Sequence, residues 1–196
     1  MKSLGTIATA GLTAALFFAA APALAHTGAG TMHGFAAGFA HPLFGADHVL
    51  AMVAVGAWAA LAGGRALWAW PAAFVAMMIA GALAGMTGAE LPIMEAGIAL
   101  SVLMLGLAVA LRAPLHLAAG ALVCGVFAVF HGFAHGAELP AGDGAATYVA
   151  GFALATALLH AAGLTIGLGL AHARTPWLPR LTGGAVAAAG LVMLVG

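Results

Sequence analysis

Two short stretches of this 196-residue chain concentrate side chains that can hold a cation. One is FHGFAHGAE, where His131, His135 and Glu138 recur at i, i+4 and i+7. In a helix, at 100° per residue, the three fall within about 60° of one another on a single face. The other is AHPLFGADHVLAM, which carries His41, Asp47 and His48. Neutral imidazole with carboxylate suits Ni2+, Co2+, Zn2+ or Cu2+, whereas Mg2+ and Ca2+ take oxygen shells. The single cysteine, Cys124, excludes an internal disulfide and the multi-thiolate site that selects Cu(I). A structural hydrogen-bond cluster between helices is the alternative role for these groups.

The rest of the chain makes such groups costly. Hydrophobic residues are 65% and charged residues 5%, with zero formal net charge. Soluble domains carry roughly 25% charged residues. So few charges cannot cover a water-soluble globule, and the composition predicts an all-α membrane protein. There is no basic run to suit nucleic acid. A lone ionisable group at mid-membrane costs about 3 kcal/mol or more, so three on one stripe imply a shared ligand or a polar cavity.

The elements that must position these groups can be read from hydropathy and turn residues. Residues 1–25 have a basic start at Lys2, an apolar middle and the small-x-small end Ala23-Leu24-Ala25. This is a secretory signal peptide pattern; cleavage after Ala25 leaves His26 as the mature N-terminus, outside the cytoplasm. An uncleaved first helix is the alternative. Residues 26–196 then form one transmembrane domain, with six spans expected at about 42–62, 66–86, 91–111, 115–137, 145–171 and 178–195. The segment 26–40 is too short and Gly-rich to span. Arg65, Arg112, Arg174 and Arg180 all fall in loops on one side, which the positive-inside rule makes cytoplasmic. The expected location is thus a bacterial inner membrane, multi-pass, with the mature N-terminus and the C-terminus both outside. Gly81/Gly85, Gly132/Gly136 and Gly163/Gly167 are small-xxx-small pairs that let helices approach closely.

This topology brings the two motifs together. With Pro42 at the first helical position, His41 sits at the cap, and Asp47 and His48 lie roughly 8 Å below the outer end. The fourth span runs the other way and puts His131 at a similar depth. His160 lies ~22 Å inward along the fifth span and is a candidate relay, or else a hydrogen-bonded buried histidine. His26 and His33 are candidates for outer capture of metal, or else simply solvent-exposed residues. His116 and His172 fall at the inner ends, where interfacial solvation suffices. Glu95 is a candidate for orienting an imidazole, or else a residue snorkelling outward; Cys124 and Met52 read as packing residues.

The chain resembles the HupE/UreJ family of nickel permeases. That family's H-x5-D-H motif is met by His41, Asp47 and His48. Its F-H-G-x-A-H-G-x-E motif is met by Phe130, His131, Gly132, Ala134, His135, Gly136 and Glu138. The resemblance also covers the signal peptide and six following spans. It implies secondary uptake of Ni2+, with Co2+ as the alternative cargo, for metalloenzymes such as hydrogenase or urease. The same residues, His41, Asp47, His48, His131, His135 and Glu138, become the expected metal ligands, with no prosthetic group and no catalytic role. With no nucleotide-binding loop and no sign of an ATPase subunit, the expected driving force is the membrane potential, in a uniport past His160. The rival from another class is an intramembrane zinc hydrolase, which needs three ligands and an open position for water. A metal sensor is a weaker rival, because no soluble output domain is present.

Overall fold

The computed structural model describes residues 34–139, 144–172, 175 and 177–196. The signal-peptide reading, His26, His33 and Arg174 lie outside the described residues. Those residues form seven helices with no strand among them: α1 (Phe35–Phe44), α2 (Ala46–Ala62), α3 (Ala66–Gly85), α4 (Met94–Ala110), α5 (Leu117–Ala137), α6 (Ala145–His172) and α7 (Leu178–Val195).

All six expected segments are helical, but they do not all qualify as spans by length. Four helices, α3, α5, α6 and α7, are long and apolar enough to cross a membrane. The pair α1 and α2 is long and apolar enough only when taken together, and is bent by 85° at its break, as a broken span or a re-entrant loop would be. Helix α4, with 17 residues, is shorter, about 25 Å at 1.5 Å per residue.

The bend corrects the expected start of the first span. Pro42 does not open that helix; it lies inside α1, which ends at Phe44. Proline removes one backbone donor and crowds the preceding turn. Gly45 then takes an extended conformation (φ −86°, ψ 113°) and α2 begins afresh at Ala46. His41 is therefore in the last turn of α1 rather than at a cap, and part of the Gly-rich segment is helical. The turn between α2 and α3 uses Gly63 and Gly64 at φ 73° and 55°, a region that costs glycine little.

Glycine sets the packing, as the small-residue pairs predict. A Cβ at Gly132 or Gly136 would lie 1.9 or 2.0 Å from the carbonyl oxygens of Met78 and Ala82. Helices α3 and α5 therefore touch backbone to backbone and run the same way. Val53 and Ala57 meet Gly163 and Gly167 in the same sense, so α2 and α6 are also parallel. Ala110 meets Gly183 and Leu103 meets Gly190, so α4 and α7 are antiparallel. Phe74 meets His160 and Met78 meets Thr156, making α3 and α6 antiparallel. These senses are those of a bundle whose successive helices alternate direction.

At the end of the bundle away from His48, two buried indoles pin the α4–α5 connection. Trp58 donates to the Ala113 carbonyl and Trp70 to that of Leu117, each at 3.0 Å, with the rings 4.3 Å apart. Arg65 and Arg112, both exposed, follow α2 and α4 at this end.

Candidate metal centre

The helix break delivers the first motif. His48 is the third residue of α2, and Asp47 precedes it in the first turn, where the helix dipole favours a carboxylate. Asp47 Oδ1 accepts from the His48 backbone N–H at 2.8 Å and lies 3.3 Å from His48 Nδ1. An ionised carboxylate only accepts, so Nδ1 carries the ring proton and Nε2 presents its lone pair.

That lone pair points at the second motif. His48 Nε2 is 3.2 Å from His131 Nδ1 and also meets His135 Nε2. The three rings, on α2 and α5, are 5%, 0% and 3% exposed for His48, His131 and His135. Bonds of about 2.1 Å at angles between 90° and 109° separate two metal-bound nitrogens by about 3.0–3.4 Å. The His48–His131 separation is in that range, whereas the His48–His135 contact is shorter than it.

A second tier lies nearer the surface. His41 Nε2 is 3.3 Å from Glu138 Oε2, with side chains 24% and 32% exposed. Ligand-capable atoms of His41, His135 and Glu138 all lie within 4.8 Å of one another. His135 belongs to both tiers. The arrangement grades from a partly exposed carboxylate and imidazole to three buried imidazoles.

The structure brings together His41, His48, His131, His135 and Glu138. Asp47 stands behind His48, on the ring nitrogen away from the cluster, and so orients the His48 ring rather than facing the cluster itself. His160 is 2% exposed, and neither ring nitrogen has a hydrogen-bond partner among the described residues. The expected hydrogen-bonded alternative for it is therefore not what the structure shows. Phe74 separates it from the cluster, with ring centroids 5.1 Å from His160 and 5.8 Å from His131. Glu95 is exposed in the first turn of α4 and does not orient an imidazole. Cys124 and Met52 are fully buried in the apolar core. His116 caps α5 by accepting from Ala119 N–H, and His172 Nδ1 lies 2.7 Å from the Leu168 carbonyl; both have local structural roles.

Several neighbours were not singled out from the sequence. Phe152 packs on His135 at 4.1 Å, and Tyr148 lies 6.1 Å from His41. Ser101 Oγ is 2.7 Å from His131 Nε2. Beyond Glu95 it is the one polar side chain in α4, and a polar group in so apolar a helix was the available signal. An open depression of about 390 Å³ between the α3–α4 connection and α5 is lined by Ala89, Glu90, Leu91 and Phe133 among others; no histidine lines it.

Fold and site together define a polytopic helical membrane protein with a graded imidazole–carboxylate cluster at one end of its bundle. The profile of the HupE / UreJ protein family matches residues 14–193. A similar protein is "Protein HupE" of Rhizobium leguminosarum bv. viciae, 46% identical over 191 residues, which cover 94% of this chain and 97% of that one. The chain belongs to the HupE/UreJ family, a family of metal transporters. No solved structure matches it.

Proposed function

We propose that this protein is a permease for Ni2+, with Co2+ as second cargo, that loads from the outside of a bacterial inner membrane. The observation that carries the reading is the convergence of His48, His131 and His135 in a buried site. The lone pair on His48 Nε2 can accept an N–H from a neighbouring ring or bind a cation in its place, and Ni2+ and Co2+ take such imidazole donors. His41 and Glu138 form the mouth, where a carboxylate attracts the hydrated cation and begins to replace its water.

The cargo must then leave. His160 is buried and unpartnered beyond Phe74, and we assign it as the relay towards the cytoplasmic face. An inside-negative potential of about 100 mV favours a divalent cation moving inward by roughly 4.6 kcal/mol. At ~1.4 kcal/mol per tenfold, that sustains on the order of a thousand-fold accumulation without a coupled ion. The mechanism is thus potential-driven uniport, supplying a nickel enzyme such as hydrogenase or urease.

Cells expressing the chain, given labelled Ni2+ or Co2+, test this. Uptake above that of control cells, with Ni2+ preferred, supports it. Turnover of a lipid or peptide with no metal flux would instead favour the intramembrane hydrolase.

A further inference from the structure

Ser101 is fully buried midway along α4, and its hydroxyl touches two groups. Oγ is 2.6 Å from the Ile98 carbonyl oxygen and 2.7 Å from His131 Nε2. A hydroxyl has one proton, and a carbonyl oxygen has none to offer. The 2.6 Å contact is a hydrogen bond only if Ser101 donates to Ile98. Oγ then has only lone pairs for His131, so the ring must donate from Nε2–H. A neutral imidazole protonated at Nε2 has its lone pair on Nδ1. Nδ1 is the atom that faces His48 Nε2 at 3.2 Å.

We propose that Ser101 is a positioning residue that holds His131 as its Nε2–H tautomer and so presents Nδ1 to the transported cation. The second half of the statement rests on the metal-transport reading; the tautomer does not. Two different devices therefore aim the two buried rings. A carboxylate, Asp47, accepts from the Nδ1–H of His48, and a back-bonded serine accepts from the Nε2–H of His131. The difference has a chemical consequence. A carboxylate behind an imidazole raises its basicity and tightens metal binding. A hydroxyl already committed to a carbonyl is a neutral, weaker acceptor. It fixes the ring without strengthening the donor, which suits a cargo that must be released. A carboxylate at position 101 would also bury an unpaired charge in the bundle.

The test uses the full chain, labelled with 15N-histidine and held metal-free in lipid nanodiscs. Ring 15N spectra distinguish a protonated from a bare nitrogen, and His131→Gln identifies the His131 signals by their loss. The expected wild-type result is a protonated Nε2 and a bare Nδ1 for His131. S101A should release the ring into a mixture of tautomers, and S101T, which keeps the hydroxyl and its carbonyl partner, should restore the single form. Titration with Ni2+ should show affinity lowered about 10- to 100-fold in S101A and recovered to within a few-fold in S101T. A wild-type ring protonated at Nδ1 overturns the proposal. So does an S101A protein whose ring keeps the wild-type tautomer, even if its affinity falls, because that effect would be packing alone. If the tautomer is as expected but Ni2+ is neither bound nor transported by the wild type, the metal reading fails and the tautomer lock stands.

Discussion

Replacing Gly132 with alanine changes no candidate ligand, yet the structure predicts a transport defect. A Cβ at this position would lie 1.9 Å from the Met78 carbonyl oxygen. Real Cβ contacts do not fall below 3.0 Å, so α5 must move from α3 by at least about 1 Å. The obstacle is backbone, so no side-chain rotation relieves it. His131 and His135 flank Gly132 on α5, whereas His48 is carried by α2. A shift of that size exceeds the ~0.2 Å tolerance of metal–nitrogen bonds. Misplacement of reacting groups by about 1 Å can cost on the order of a hundredfold, so labelled Ni2+ uptake should fall at least tenfold in G132A at equal membrane abundance. Two controls separate geometry from glycine loss in general. At Gly125, on the same helix, a Cβ meets only the flexible side chain of Met77, at 3.1 Å and beyond. At Gly184 nothing lies within 4 Å. G125A and G184A should transport within about twofold of wild type, an allowance taken from the small effects of uncrowded substitutions. Normal uptake by G132A, at wild-type abundance, would refute the claim that α3–α5 contact sets the metal geometry.

Alanine at His48, His131 or His135 should each remove most uptake while the protein still reaches the membrane; near-normal uptake by two of the three would sink the site assignment. E138Q should raise the Ni2+ concentration needed for half-maximal uptake more than it lowers the maximal rate, because its role at the mouth is attraction. A defect independent of concentration would make Glu138 a ligand instead. For orientation, cysteine placed at Gly88 should react with an impermeant thiol reagent in intact cells, and cysteine at Arg112 should not. Reversed labelling would contradict the arginine argument.

Much of this site is legible in the sequence because helical periodicity is local. FHGFAHGAE needs only 3.6 residues per turn to put His131, His135 and Glu138 on one face, and all three line the cluster's two tiers. The alternation of helix direction likewise follows from counting apolar segments, and the observed contacts agree with it. The bend at Gly45 was not legible, since Pro42 suits a helix start as well as a helix interior near its end, and only packing against α6 decides between them. In the structure Gly38 and Gly151 bring α1 and α6 into backbone contact, which is what holds α1 across the top of α2. Ser101 was missed for a related reason. Its importance comes from α4 lying beside α5, a pairing that no periodicity in either helix encodes. Glu95, the more conspicuous polar residue, is exposed, while the modest hydroxyl six residues later reaches the histidine.

The central claim is that an electrical potential drives Ni2+ through the buried histidine cluster. Purified protein in liposomes, energised only by an inside-negative potassium diffusion potential, measures this directly. Labelled Ni2+ should accumulate without ATP or a pH gradient, faster as the potential is raised, and His48→Ala protein should show almost none. Accumulation that ignores the potential and requires a proton gradient, or that persists in His48→Ala, would contradict the account.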